Sequence, residues 1–185
     1  MMNEVQEVIL VNEHDEPVGV MEKMEAHRKG LLHRAFSVFI FNSKGEMLLQ
    51  QRAAEKYHSG GLWTNACCSH PNPGETTDQA ASRRLREEMG FSTPVKKIFY
   101  FSYRSEFDNG LIEHEFDHVY AGLFEGPFKP NPAEVKDYCY KSLEAIEESL
   151  QSHPDKYTTW FHIAFPKVKE WAVTHQSANH QVLIS

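Results

Sequence analysis

A chain of 185 residues is the length of one ordinary domain, and an apolar fraction of 41% with 12% aromatics is enough to build a core, which excludes wholesale disorder. A net charge of -7 argues against a general nucleic-acid binder, because a phosphate backbone demands a basic face, yet a few arginines in a cleft suffice for a small anion. No run reaches the ~18 apolar residues of a membrane span, residues 1–10 carry Glu4 and Glu7 and form neither a secretory signal nor a transit peptide, and the three cysteines are an odd count. The expectation is one cytoplasmic domain (1–185) with free thiols, monomeric or weakly dimeric, without a nucleic-acid or membrane partner.

In chain order, residues 5–11 read as a first strand, Asn12 to Gly19 as a turn, and 18–21 as a returning strand. His27-Arg28-Lys29-Gly30 reads as a loop. Residues 35–41 are strongly β-prone, and Asn42-Ser43-Lys44-Gly45 turns them into a strand over 47–52. After Gly74 a helix is signalled by the capping box Thr76-x-x-Gln79, by the stripe Ala81, Leu85 and Met89, and by Gly90 at its end. Residues 95–107 and 111–123 form a hairpin about Asp108-Asn109-Gly110. A Pro-rich connector (126–132), a strand (134–140), helices over 142–151 and 159–174, and a loosely ordered tail (176–185) follow. Mixed strands with a few helices predict an α/β (α+β) sandwich in one domain.

The chemistry concentrates in two places. Trp63-Thr64-Asn65-Ala66-Cys67-Cys68-Ser69-His70-Pro71 puts a thiol and an imidazole at Cys68 and His70, on one side of an extended segment, with Cys67 facing the other way. Glu113 and Glu115 share one face of the hairpin's second arm, and two aligned acids are costly there unless solvated or bound to a cation. With His27 and His33 they make a plausible nitrogen and oxygen set for a divalent transition metal. On the helix, Arg83 and Arg84 sit four residues before Glu87 and Glu88. Alone, that pattern means surface ion pairs worth about 0.3–0.5 kcal/mol each.

From Ser69 to Phe91 the chain reads S-x5-E-x7-R-R-L-x-E-E-x-G-F, which resembles the Nudix box G-x5-E-x7-R-E-U-x-E-E-x-G-U, with U a bulky apolar residue. Glu75, Arg83, Leu85, Glu87, Glu88, Gly90 and Phe91 match; Ser69 replaces the first glycine and Arg84 replaces a glutamate. In Nudix hydrolases that glutamate belongs to the Mg²⁺-binding group, whereas an arginine is suited to gripping phosphate. Leu31 to Val38, Thr64 to Pro71 and Glu113-His114-Glu115 resemble the signature segments of type I isopentenyl-diphosphate Δ-isomerases, divergent members of the Nudix fold, over about residues 8–160.

That resemblance implies a Nudix-type sandwich, a mixed central β-sheet flanked by helices, acting on a prenyl diphosphate. It implies that His27, His33, His70, Glu113 and Glu115 hold one Mn²⁺ or Zn²⁺, and that Glu88 helps bind a Mg²⁺ bridging to the diphosphate. Cys68 and Glu115 would be the proton-transfer pair, with Tyr103 hydrogen-bonding beside the carboxylate. Lys23, Arg52, Lys56 and Arg84 would contact the diphosphate, and Trp160 would line the hydrocarbon pocket. The activity implied is the interconversion of isopentenyl and dimethylallyl diphosphate through a tertiary carbocation. A Nudix hydrolase of a nucleoside or prenyl diphosphate explains the helix but leaves Cys68, His70 and the paired glutamates without a task. A non-catalytic metal or diphosphate binder leaves more unexplained.

Overall fold

The computed structural model describes residues 6–182. Its strands are β1 (Glu7–Val11), β2 (Pro17–Glu22), β3 (His33–Phe41), β4 (Met47–Arg52), β5 (Trp63–Thr64), β6 (Cys67–Ser69), β7 (Val95–Glu106), β8 (Ile112–Leu123) and β9 (Val135–Lys141). Its helices are α1 (Lys23–Lys29), α2 (Thr77–Met89), α3 (Leu143–Ser152) and α4 (Thr159–Val182), with a 3-10 turn at Pro154–Lys156.

The strand β3 organises the sheet. Apart from Arg34 it is buried throughout, as its β-branched and aromatic run predicts. It runs parallel to β8 from His33↔Glu115 to Phe41↔Leu123 and antiparallel to β6, where Ser37 faces Cys68. The arm β7 closes the hairpin on β8, with Tyr103 opposite Glu115 and Ser105 opposite Glu113. The result is the mixed sheet that the sequence predicts.

Alternation along these strands makes two faces. On one, Phe36, Val38, Ile40 and Tyr120 pack on Ala81, Leu85 and Met89 of α2. On the other, Phe39, Phe101, Tyr103 and Val119 pack on Trp160, Phe161 and Phe165 of α4 and Ile146 of α3. The paired positions His33↔Glu115 and Ser37↔Cys68 lie on this second face. The capping box of α2 forms as expected, with Thr76 Oγ accepting from Gln79 N at 3.2 Å and Thr76 N donating to Gln79 Oε1 at 3.1 Å.

Three features depart from the sequence reading. His27-Arg28-Lys29 is the last turn of α1, and Gly30 is its left-handed cap at φ 62°. The helix is only seven residues long and is capped by Glu22, whose carboxylate accepts from Met24 N and Glu25 N at 2.8 Å each. Glutamate is not a favoured cap, and two turns are too few to show an apolar period. The short strands β5 and β6 flank a bend at Asn65 and Ala66 and had no separate signal. Finally, the α4 backbone is helical through Pro166 to Val182, beyond the expected end at 174; of the loose tail expected over 176–185, residues 183–185 lie outside the described residues, as does Val5 of the first strand.

Gly90 is required for two reasons: its φ is 75°, and a Cβ there would stand 2.2 Å from the Lys129 carbonyl oxygen. We expect Gly90→Ala to destabilise the fold by about 1–3 kcal/mol. The measure is the denaturant midpoint; an unchanged midpoint would contradict this packing.

Candidate active site

The site begins with the cost of burying carboxylates. Glu113 and Glu115 are 2% and 7% exposed, and Asp117, two residues on, is 1% exposed. Three imidazoles converge on Glu113 and Glu115: His27 from α1, His33 from β3 opposite Glu115, and His70 just after β6. Donor atoms of His27, His33, His70 and Glu115 all lie within 4.8 Å of one another. His27 Nδ1 donates to the Lys23 carbonyl at 2.6 Å and His33 Nδ1 to the Leu31 carbonyl at 2.8 Å, which turns each Nε2 inward. His33 Nε2 is buried without a hydrogen-bond partner, and His70 Nε2 is 2.8 Å from Glu115 Oε1. Such a buried nitrogen and oxygen cluster can bind a metal, and the unpartnered Nε2 aimed into it fits one. Glu113 stands beside that set: its Oε1 lies 3.2 Å from His27 Nε2 and 2.5 Å from His58 Nε2.

Tyr103 decides how the two glutamates share charge. Its hydroxyl is 2.9 Å from Glu113 Oε2 and 2.8 Å from Glu115 Oε2. A phenol has one hydrogen, so both contacts are hydrogen bonds only if one carboxyl keeps a proton. Burial, and then the Glu113 charge, push the Glu115 carboxyl above the usual range. Burial opposes charge on Glu113 too, but hydrogen bonds from His27 and His58 outweigh it and hold Glu113 well below that range. Of the two, Glu115 is the one whose surroundings favour a proton and Glu113 the one whose surroundings favour the charge. Burial, then the Glu115 charge, likewise raise Asp117, whose Oδ2 accepts from Ser37 Oγ at 2.7 Å.

Cys68 lies at the far side of Ser37. Its thiol meets Asn65 Oδ1 at 3.0 Å, and Trp160 Nε1 donates to the sulfur at 3.0 Å. Asn65 is itself pinned, its amide donating to the carbonyls of Val38 (3.0 Å) and Cys67 (2.8 Å). Thr158 Oγ1 donates to Thr64 Oγ1, which donates to Asn65 Oδ1, at 2.9 Å each. The Thr64-Asn65 pair is thus the frame that aims the sulfur. Burial, and then the Asp117 charge, push the Cys68 thiol up to about 12, while Ser37 and Arg52 oppose them. Cys67 points the other way into the α2 core and is inert, and among the described residues all three cysteines are free.

Four cations line a second recess that opens from the first. Lys23, Arg52, Lys56 and Arg84 share it with Glu134, while Arg52, Tyr57, Cys68, Ser69 and His70 line both recesses. Burial, with the Lys56 charge, brings Lys23 down to about 8. Lys56 pairs with Glu134, and Arg84 bridges Glu88 (2.6 Å), Glu87 (2.8 Å) and Glu134 (3.1 Å). Glu88 does not join the His/Glu cluster. Its second oxygen accepts from Gln50 Nε2 at 3.1 Å, so a Mg²⁺ there would share the carboxylate with Arg84 and Gln50. Trp160 is 3% exposed and serves both the core and the pocket wall.

Sequence reasoning missed His58, Tyr57 and Asp117. Only Asp117 carried a signal, since it continues the i, i+2 acidic series of Glu113 and Glu115 on one strand face.

A NUDIX domain model matches residues 31–161. The isopentenyl-diphosphate Delta-isomerase of Pectobacterium atrosepticum is 54% identical over 165 residues, covering 89% of this chain and 92% of that protein. Isopentenyl-diphosphate Delta-isomerase 2 of Photorhabdus laumondii is 47% identical over 169 residues, covering 89% and 96%. Among solved structures, DR0079 from Deinococcus radiodurans superposes with a TM-score of 0.68 at 22% identity, over 80% of this chain and 90% of that one, a likeness of fold. The matched domain, the close relatives and a thiol facing a buried His/Glu cluster agree: this chain belongs to the isopentenyl-diphosphate Delta-isomerase family of the Nudix superfamily.

Proposed function

We propose that this protein interconverts isopentenyl diphosphate and dimethylallyl diphosphate by proton transfer through a tertiary carbocation. The observation that carries this reading is the joining of two recesses. One is lined by Cys68, Tyr103, Glu115 and Trp160, the other by Lys23, Arg52, Lys56 and Arg84, and Cys68 belongs to both. In this reading the five-carbon alkene lies beside the proton-transfer groups and its diphosphate among the cations.

In this reading Glu115 delivers a proton to the terminal methylene carbon, the charge develops on the tertiary carbon, and Cys68 takes a proton from the adjacent methylene. A carboxylic acid near 4.3 is about 4 units stronger than a thiol near 8.5, or ~6 kcal/mol, which makes Glu115 the better donor to an unactivated alkene. Tyr103 hydrogen-bonds that carboxyl, and His27 and His58 favour the charge on its partner Glu113. The sulfur must be a thiolate to accept, and the Trp160 N–H, Ser37 and Arg52 favour that form against burial. The Trp160 ring can contribute about 0.5–2 kcal/mol to a nearby cation, and its packing against the core excludes water. The reverse reaction exchanges the two roles.

The diphosphate would be held by Lys23, Arg52, Lys56 and Arg84, with a Mg²⁺ beside Glu88. His27, His33, His70, Glu113 and Glu115 would hold one Mn²⁺ or Zn²⁺, which when bound draws charge from Glu115 and sharpens its acidity. Arg84, tied to Glu87, Glu88 and Glu134, occupies the place where a Nudix hydrolase carries an acid, which favours isomerisation over diphosphate cleavage. The protein would work in the cytoplasm as a monomer or weak dimer; among the described residues no helix is long and apolar enough to cross a membrane.

Cys68→Ala and Glu115→Gln should each lower kcat for isopentenyl diphosphate by about 10²-fold or more while leaving the thermal midpoint near that of the parent. Turnover within tenfold of the parent in either variant would refute the assigned pair, and orthophosphate or monophosphate release in place of isomerisation would refute the reaction. Lys23 carries its charge below about pH 8 and loses it above. As pH rises through that value, KM for the diphosphate should therefore rise and kcat/KM fall. Lys23→Arg, charged throughout, should move that alkaline limb upward; a limb left in place would show that Lys23 does not grip the substrate.

A further inference from the structure

No step of the mechanism above uses the Thr158 hydroxyl. The residue is fully buried and immediately precedes α4, whose first backbone bond its carbonyl accepts from His162 N at 3.3 Å. A threonine at that place usually serves the helix alone. Here its segment is also tied to the strand that leads to Cys68. Tyr157 pairs with Trp63 in a parallel bridge, and Thr158 N donates to the Trp63 carbonyl at 3.1 Å. Two positions on, Trp160 donates to the Cys68 sulfur. One short segment thus reaches the sulfur twice, directly through an indole and at a distance through the Thr158 hydroxyl.

Every hydrogen in the second connection has a fixed direction. Asn65 uses both amide hydrogens on the carbonyls of Val38 and Cys67, so its Oδ1 faces Thr64 and Cys68 and can only accept. The single hydroxyl hydrogen of Thr64 goes to that oxygen, which leaves Thr64 Oγ1 to accept from Thr158. The Thr158 hydrogen therefore starts a one-way chain that ends on the atom holding the Cys68 thiol. Bonds linked head to tail polarise one another, so Thr158 strengthens the hold of Thr64 on Asn65. Thr64, Asn65 and Thr158 are all buried, and a donor removed from such a chain leaves its acceptor uncompensated.

We infer that Thr158 is a positioning residue for Cys68, acting through Thr64 and Asn65 to fix where the sulfur stands relative to the alkene. The inference rests on the proposed function, in which Cys68 is one of the two proton-transfer groups. Its signature is a loss confined to turnover. The cations proposed to grip the diphosphate line the other recess, and the backbone tie from Thr158 N to Trp63 does not depend on the side chain. A displaced sulfur slows proton transfer and leaves substrate binding as it was.

The test is steady-state kinetics on isopentenyl diphosphate for the parent, Thr158→Val, Thr158→Ser, Thr64→Val and the Thr64→Val/Thr158→Val double variant, with thermal midpoints to confirm folding. Thr158→Val should lower kcat by about tenfold with KM within about twofold, and Thr158→Ser, which keeps the hydroxyl, should restore kcat. The double variant should be no slower than Thr64→Val alone, because both changes break one chain. An unchanged kcat in Thr158→Val, a serine that fails to rescue, or losses that multiply in the double variant would overturn the inference. Should Thr158→Val not fold, Thr158→Ala takes its place in the same comparison. A parent that does not isomerise the substrate would overturn the proposed function itself. Crystal structures of the parent and Thr158→Val then decide the positioning alone: it requires the Asn65 side chain and the Cys68 sulfur to move, and their coincidence in the two structures would refute it.

Discussion

The burial of Glu113 and Glu115 side by side on β8 is the constraint around which the rest is arranged. An unpaired charge taken out of water costs several kcal/mol, and two adjacent ones cost more. The structure answers this locally with a Glu115 carboxyl raised above the usual range, one phenol bridging both carboxyls and imidazoles converging from α1, β3, the end of β6 and the β4–β5 loop. Only α1 and β3 among these elements are consecutive in sequence. The parallel pairing of β3 with β8 sets His33 opposite Glu115, and the helical turn ending at Gly30 lifts His27 into range. The raised Glu115 carboxyl suits the acid role that the proposed chemistry needs.

The same sheet face also supplies the hydrophobic core. Tyr103 and Trp160 belong to the cluster packed under α3 and α4 and touch the chemistry with their polar atoms. A thiol held up to about 12 by burial is basic once ionised, and the groups that orient it are fixed by backbone carbonyls and hydroxyls. Rigidity around the sulfur thus comes from the core and costs no separate scaffold. The Nudix helix takes a changed part. Arg84 draws the acids Glu87, Glu88 and Glu134 into ion pairs at the recess that also holds Lys23, Arg52 and Lys56, so a helix face that is acidic in hydrolases here presents a cation to the proposed diphosphate site.

Much of this was legible in the sequence because strong periods and turn residues announce themselves. The runs of β3, β7 and β8, the capping box and stripe of α2, and the parity that sets Cys68 against Cys67 all follow from side-chain alternation or helical spacing. Parity likewise put Glu113 and Glu115 on one face. The α1 helix escaped because a seven-residue helix capped by glutamate has neither a period nor a favoured cap. His58 escaped for a different reason. Nothing in Lys56-Tyr57-His58-Ser59 distinguishes it from a solvated loop histidine; only the stacking on Phe107 and the approach to Glu113, residues about fifty positions away, reveal it. Long-range convergence of that kind has no local signature.

The central claim is a proton exchange at carbon between this site and a prenyl diphosphate. Its most direct test is proton NMR of isopentenyl diphosphate incubated with the protein in D₂O, with Mg²⁺ and either Mn²⁺ or Zn²⁺ present. The account requires dimethylallyl diphosphate to appear with deuterium in its methyl group while the diphosphate stays intact. An unchanged spectrum from folded, metal-loaded protein, or isomerisation without deuterium entering the product, would contradict it.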